Sequence, residues 1–425
     1  MRVTIRNLGL AVIVCCSVSS AQAGDLTVEE SGVSPDKKIT VTSPGVYKAV
    51  LWQESGGGIN EFYDLAADPE ASHNLVGTGA SVRGLVEIGW HGRPFKGEGE
   101  ACCAEHISDP KKKENGKSCY DGCMDWPSAG HKKLGVRSEL AVTEKSAARV
   151  RVSGRGTFTW WAKYSNEKDA AVTPLYTFYP AGQIILQVRV QMIGQRTLHW
   201  GPEYGPHLLL PFNAKDGKNF SYSTPTVDKV TQSLPKSEEL VLGTSAAVKS
   251  AVLLTIPAEA QALFDRHLLH MRFGYGSNKI DMPPGYDHTW ACLVQLGTQG
   301  HDLLPPLRTA KDALPFATQY RVPAKIDGAE LVKDAPGDFN KDGFNESEGC
   351  HVLKGPGPLA FTYERGAGAG FAPAFRIVGW NGPAAPSAKV DGKEVPSAAA
   401  VVDGNLIVQM LGTLAAPKAK IEIGR

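Results

Sequence analysis

Gln183-Ile-Ile-Leu-Gln-Val-Arg-Val-Gln-Met192 decides the fold. Isoleucine, leucine and valine recur at alternate places between polar residues, the period of a half-buried strand and not of a helix. Lys38-Ile-Thr-Val-Thr, Val46-Tyr-Lys-Ala-Val-Leu-Trp, Ala148-Arg-Val-Arg-Val, Thr157-Phe-Thr-Trp-Trp-Ala-Lys-Tyr, Pro174-Leu-Tyr-Thr-Phe-Tyr, His207-Leu-Leu-Leu and Ala251-Val-Leu-Leu-Thr read the same way. Most of these runs are bounded by Gly, Pro, Asn or Asp, which punctuate strands. Only Ala258-Glu-Ala-Gln-Ala-Leu-Phe-Asp and a stretch near Thr309-Ala-Lys-Asp-Ala-Leu read as helical. The expected class is therefore all-β, a large antiparallel β-sandwich. The chain shows no fixed-period repeat, which argues against propellers and solenoids.

Three regions are expected. Arg2 and Arg6, the apolar run from Leu8 to Val18 and Ala21-Gln22-Ala23 have the layout of a secretory signal over residues 1–23. That apolar run is shorter than the about 20 residues a membrane-spanning helix needs, so a secreted or periplasmic chain with no membrane span is expected. Residues 24–324 form the main sandwich, with a Cys-rich insertion at about 101–126. Residues 325–425 form a smaller C-terminal β-sandwich region, or else complete the main sheets. Within it, Val401-Val-Asp-Gly-Asn-Leu-Ile-Val reads as a hairpin turning at Asp403-Gly404.

Charge excludes one class of partner. The chain carries 45 Lys and Arg against 44 Asp and Glu, and removal of residues 1–23 leaves 43 against 44, a formal charge of −1. A nucleic-acid binder would show a basic face, whereas the lysine run is only Lys111 to Lys113.

Six cysteines follow the signal: Cys102, Cys103, Cys119, Cys123, Cys292 and Cys350. An even number in an exported chain reads as disulfides. Cys102 and Cys103 are each expected to reach Cys119 or Cys123, leaving Cys292 and Cys350 as a long-range pair. A zinc site from these thiols with His106 or His131 is disfavoured, since Cys-Cys, fifteen residues, then Cys-x3-Cys matches no common zinc spacing.

Asp338-Phe-Asn-Lys-Asp-Gly-Phe-Asn-Glu-Ser-Glu348 has the chemistry of a calcium loop. Asp338, Asn340 and Asp342 alternate, Gly343 permits the sharp turn, Phe344 offers a carbonyl, and Glu346 or Glu348 closes the shell. The spacing resembles the calcium loops of dockerins and of integrin-type repeats. It departs from the twelve-residue EF-hand because Gly349 stands where the bidentate acid belongs. The alternative is an Asx turn whose side chains bond their own backbone. A calcium ion here would stiffen the loop and not act on substrate.

Three clusters join titratable groups to aromatic rings. Gln195-Arg-Thr-Leu-His-Trp-Gly-Pro-Glu-Tyr-Gly-Pro-His holds His199, Trp200, Glu203, Tyr204 and His207; Asp281-Met-Pro-Pro-Gly-Tyr-Asp-His-Thr-Trp holds Tyr286, Asp287, His288 and Trp290; Glu87-Ile-Gly-Trp-His-Gly-Arg holds Trp90, His91 and Arg93. Sugar chemistry needs a positioned acid or base and a flat ring to lie on the pyranose face. His199, His207, Tyr286, His288, Glu203 and Arg93 are the catalytic candidates, and Trp90, His91, Trp200, Tyr204 and Trp290 the substrate-binding ones. Arg93 or Arg272 could neutralise a uronate carboxylate. No nucleophile elbow, phosphate loop, dinucleotide fingerprint or paired-histidine zinc helix is present.

Gly56-Gly-Gly-Ile-Asn-Glu-Phe-Tyr-Asp-Leu65, with Asp68-Pro and Asn74-Leu-Val after it, resembles the opening hairpin of galactose-mutarotase-like super-sandwiches. That superfamily includes the sandwich domains of many polysaccharide lyases and glycosidases. His207 before its apolar run is similar to the histidine that such folds place on an inner strand. The resemblance implies a polysaccharide or oligosaccharide partner. Three functions are open: a lyase-like enzyme on an extracellular acidic polysaccharide, a noncatalytic glycan-binding or surface protein, and a glycosidase pairing Glu203 with Asp287 or Glu87.

Overall fold

The computed structural model describes residues 25–34, 36–53, 57–76, 78–79, 82–83, 87–90, 124–125, 138–159, 168–195, 198–199, 207–210, 220–224, 240–245, 248, 250–255, 260–265, 268–273, 281–297, 320, 323–365, 370–414 and 416–424. Every element among them is a β-strand. The expected all-β class is what the chain adopts. The signal segment, the Cys-rich insertion with Cys102, Cys103, Cys119 and Cys123, and the helical expectation near Thr309 lie outside the described residues.

The centre is an eight-stranded antiparallel sheet in the order Phe220–Ser223, Leu240–Ser245, Ala251–Thr255, Asp287–Gly297, Gln183–Met192, Lys168–Phe178, Val150–Thr159, Ser138–Lys145. Pairing sets Tyr176 beside Leu186 and Leu186 beside Cys292, while the next row is Thr177, Ile185 and Leu293. Side chains alternate faces along a strand, so these rows point in opposite directions.

The Tyr176 row shares its face with Phe178, Ile184 and Val294. It meets a four-stranded sheet of Thr27–Ser31, Lys38–Ser43, Tyr47–Trp52 and Gly58–Asp64. Tyr47 stacks on Phe178 at 6.3 Å and lies 6.2 Å from Phe62. Polar tethers hold the rim: Tyr47 donates to the Tyr179 carbonyl at 3.1 Å, Ser43 to the Pro180 carbonyl at 2.7 Å, and Ser250 to Asp64 Oδ2 at 2.6 Å.

The Ile185 row faces the other way, into a cluster of Tyr179, Ile185, Leu293, Tyr320, Phe344, Cys350 and Ala374 contributed by both parts of the chain. Ile184, Ile185 and Leu186 are consequently all buried, whereas Gln187 to Met192 return to alternation. This row also decides the long-range cysteines. Cys292 lies on the Tyr176 face and Cys350 on the Ile185 face, so the expected Cys292–Cys350 disulfide does not form. Both are buried free thiols, and burial pushes each up to about 12.

The C-terminal strands pair only with one another among the described residues. One sheet runs Lys325–Asp327, Leu359–Glu364, Lys418–Ile423, Ala388–Val390, Lys393–Val395. The other holds Glu330–Leu331, Cys350–Lys354, Ala374–Val378, Asn405–Met410 and Ser397–Val402, with Phe344–Asn345 beside Cys350–Lys354. Cys350–Lys354 and Ala374–Val378 are parallel, a departure from the otherwise antiparallel pattern. Phe361, Tyr363, Ile421 and Ile423 pack against Leu353, Phe375, Leu406 and Val408 in the smaller sandwich core. The hairpin turns where expected: Asp403 and Gly404 have φ of 48° and 72°, the positive pair a type I′ turn requires.

A glutamine network joins the two regions. Gln409, with no exposed surface, donates to Gln183 Oε1 and to the Ala372 carbonyl, and accepts from Ala181 N. Gln183 donates onward to the Phe371 carbonyl at 3.1 Å.

One expectation is reversed. The segment read as helical at 258–265 contains a strand, Ala260–Asp265, paired through six residues with Leu268–Phe273. Alanine and glutamine favour helix intrinsically, but ladder pairing in a sheet outweighs differences of under about 1 kcal/mol per residue.

Candidate functional site

Backbone pairing laces together the three clusters that stand apart in the sequence. Leu198–His199 pairs with Asp281–Met282, placing His199 opposite Asp281. His207 lies in register between Gly89 and Arg272 in a five-stranded sheet of Ala260–Asp265, Leu268–Phe273, His207–Leu210, Glu87–Trp90 and Met124–Asp125. Trp90, next in its strand, pairs with Met124. His91, Arg93, Trp200, Glu203 and Tyr204 lie outside the described residues.

The side chains are defined around the start of the Asp287–Gly297 strand. A turn closes there, Tyr286 N donating to the Pro283 carbonyl at 2.9 Å and Met192 N to the Tyr286 carbonyl at 2.8 Å. His288 stands beside Val190 and Trp290 beside Val188, on the sandwich-facing side of the sheet. The His288 ring meets Trp290 edge-on at 4.7 Å, and Tyr286 lies 6.2 Å away on its other side. Trp290 is only 6% exposed, so it buttresses His288 and offers no open face for a sugar. His288 and Tyr286 are partly exposed.

Asp287 points the opposite way. Arg189 grips it with two bonds, Nε to Oδ1 at 2.8 Å and Nη2 to Oδ2 at 2.5 Å, and Gln191 adds a third at 3.1 Å. The guanidinium holds this carboxyl below the usual carboxylate range. Asp287 is thereby committed to a surface fork on the outer face and is not free to partner a second carboxylate.

In the acidic loop, Asp338 Oδ1 accepts from Lys341 N at 2.7 Å and Oδ2 from Gly343 N at 2.8 Å. Asn340 Oδ1 accepts from Asp342 N at 3.0 Å, and Asp342 Oδ1 from Phe344 N at 2.7 Å. Glu346 Oε2 takes Phe339 N at 2.9 Å, and its carboxyl is raised first by burial, with further contributions from the charges of Asp338 and Asp342. The alternate oxygens are thus held around one turn by backbone N–H groups, Asp338 Oδ1 taking a second one from Asp342 N at 3.3 Å. Among the described residues no three acid, His or Cys side chains converge on a metal position. Phe344 inserts its ring between Tyr320 and His351.

Glu348 leaves the loop. Its Oε2 accepts from Arg149 at 2.6 Å, and its Oε1 lies 3.3 Å from Arg376. Both oxygens are occupied by cations, which removes Glu348 from the expected metal shell. Gly349 explains the departure from the twelve-residue pattern: at φ 67°, a Cβ there would stand 2.6 Å from Ile185 Cγ1. No acidic side chain fits that position against the main sheet.

Arg189, Arg149 and Arg376 escaped sequence reasoning. Arg189 had one local signal, a charge inside an otherwise Ile/Val strand. Arg149 has one partner close in sequence, Glu144 five residues before it, but Glu348, the partner that ties it to the acidic loop, lies 199 residues away.

No family model matches the chain, and no curated protein does. Among solved structures it is similar to galactose 1-epimerase from Lactobacillus acidophilus NCFM, at 6% identity over 65% of this chain and 99% of that one, with a TM-score of 0.40. It is similar also to galactose mutarotase-like proteins from Lactobacillus casei ATCC 334, at 10% identity over 64% and 100% with a TM-score of 0.37, and from Clostridium acetobutylicum, at 12% over 64% and 98% with a TM-score of 0.36. Likeness at that level leaves the activity to be argued from the residues.

Proposed function

We propose that the protein is a carbohydrate-directed enzyme that uses His and Tyr acid–base chemistry, in the manner of a lyase on an extracellular acidic polysaccharide. The observation that supports this is the pairing of Leu198–His199 with Asp281–Met282, which sets the histidine-bearing segment beside the Tyr286–Trp290 segment. In such an elimination a base removes the proton next to the uronate carboxylate. The electron pair forms a carbon–carbon double bond, the bond to the leaving oxygen breaks, and an acid protonates that oxygen. His288, held edge-on by Trp290, and Tyr286 beside it are the acid–base groups of this reading. Arg272, in register with His207, is the cation that would steady the carboxylate as charge builds on it.

Two other readings are less well supported. A noncatalytic glycan binder would present a strip of exposed rings; Trp290, one of the rings named for that role, is buried, and Trp200 and Tyr204 lie outside the described residues. For a paired-carboxylate glycosidase, the Arg189 fork opposes the pairing of Glu203 with Asp287, while Glu203, and with it the alternative pairing to Glu87, lies outside the described residues.

The proposal includes a structural calcium ion in the acidic loop, held by Asp338, Asn340, Asp342, Glu346 and the Phe344 carbonyl, with no part in the chemistry. Burial of the Glu346 carboxyl, with the charges of Asp338 and Asp342 beside it, is the feature that fits a cation there. The test of the reaction is the absorbance of unsaturated uronates on a panel of acidic polysaccharides. A rise on one polymer supports the lyase. A flat trace with retained binding to any of them would move the protein to glycan recognition.

A further inference from the structure

The turn before the Val150–Thr159 strand and the C-terminal sheet together gather three arginines about two acids. Arg149 binds Glu144 through Nε at 2.6 Å and Nη2 at 2.8 Å, and Glu348 through Nη1 at 2.6 Å. Arg376 reaches the other oxygen of Glu348 at 3.3 Å. Arg151 stands across the ladder from Glu144, immediately before an irregularity in strand register, and its charge acts on Glu348. Bulges of this kind re-aim side chains.

Glu144 and Glu348 are fully used by this arrangement, and the cations are not. Arg151 Nε and Arg376 Nε are buried donors that have no hydrogen-bond partner among the described residues. A buried N–H donor with no acceptor is costly even on a partly exposed side chain, and an anion that meets it removes that cost. A guanidinium fork fits planar or tetrahedral oxyanions through two parallel bonds. The Arg376 side chain is 19% exposed and Arg151 is partly exposed, against 4% for Arg149, so these two are the arginines that solvent reaches.

We propose that Arg151 and Arg376 form an oxyanion-binding site at the seam between the eight-stranded sheet and the C-terminal sheets, taking a sulfate or carboxylate group. This site lies on the outer face of the sheet and is separate from the His288 cluster, so it stands or falls independently of the lyase reading. An occupant would complete the charge balance of the seam and strengthen docking of the C-terminal strands.

Titration calorimetry on the full chain tests it, with sodium sulfate, a glucuronate-containing trisaccharide and a neutral trisaccharide at constant ionic strength. One saturable site for sulfate in the parent is expected, weakened at least tenfold in Arg151→Gln and in Arg376→Gln, each shown to be folded by circular dichroism, and partly restored in Arg151→Lys. Tighter binding of the uronate sugar than of sulfate would identify a saccharide carboxylate as the occupant; equal or weaker binding would identify a free anion. Absence of saturable heat with both anions, equal heat with the neutral sugar, or unchanged binding in both folded Gln variants would overturn the proposal.

Discussion

Arg149 Nη1 donates to Glu348 Oε2 at 2.6 Å across 199 residues of sequence, and both side chains are buried. This bond joins the edge of the central sheet to the end of the acidic loop. Around it, Tyr179 donates to the Glu348 carbonyl and Tyr320 to the Glu346 carbonyl, each at 2.8 Å. The loop is therefore a clasp between the two regions.

Glu348→Gln should be strongly destabilising, by about 3–5 kcal/mol, because removing one partner of a buried pair strands the other charges. The cations hold the Glu348 carboxyl below its usual range, Arg149 contributing most. Its stabilisation is therefore complete above the unfolded carboxylate range and disappears as pH falls through the lower folded value. Urea midpoints of the parent and Glu348→Gln should converge on acidification. Glu364→Gln, at an exposed pair with Lys418, should leave the midpoint unchanged.

His351 sets a second, higher pH window. It is enclosed by Phe344, Tyr363 and Phe375, its Nε2 lacks a partner among the described residues, and burial pushes it down to about 3. The unfolded chain takes this proton near pH 6.5 and the folded chain does not. Stability should thus fall as pH drops below about 6.5, by about 1.4 kcal/mol per unit, until the folded value is reached. Comparison of parent and His351→Phe between pH 7 and 5 isolates this window, since Glu348 titrates lower. The Phe variant should show the shallower slope.

Gly349→Ala should cost about 2–5 kcal/mol, combining a left-handed backbone with a side chain driven into Ile185. Ile185→Ala, which removes both the Cγ1 and the Cδ1 that the new Cβ would meet, should itself cost about 2–5 kcal/mol. If the clash is real, the double variant should cost less than the two single variants together, read from chemical denaturation as a coupling between the two sites.

Strand identity was legible because period-two alternation is local, as in Gln183–Met192. The helical reading at 258–265 failed because Ala and Gln carry only weak preferences and the partner strand, Leu268–Phe273, decided the matter. The cysteine pairing failed on parity: Cys292 and Leu293 are adjacent and so point to opposite faces, and only Leu293 faces Cys350. At the candidate site, density of His, Tyr and Trp marked segments that backbone pairing sets side by side, yet which face each side chain takes depends on register. That is why Trp290 proves a buried support and Asp287 an outer-face ion-pair partner.

Calcium should raise the melting temperature of the parent in a saturable way and leave Asp342→Ala unmoved, measured by differential scanning calorimetry after chelation and readdition. Equal shifts in both would show that the loop is held by its backbone bonds alone.

The most direct measurement of the central claim is the initial rate of unsaturated-uronate absorbance in parent, His288→Ala and Arg189→Gln proteins on the polysaccharide that the parent cleaves best. The account predicts loss of at least a hundredfold in His288→Ala with folding retained, and a rate within a few-fold of the parent in Arg189→Gln, whose side chain lies on the opposite face. An undiminished rate in folded His288→Ala, or no rate in the parent on any acidic polymer, would contradict it.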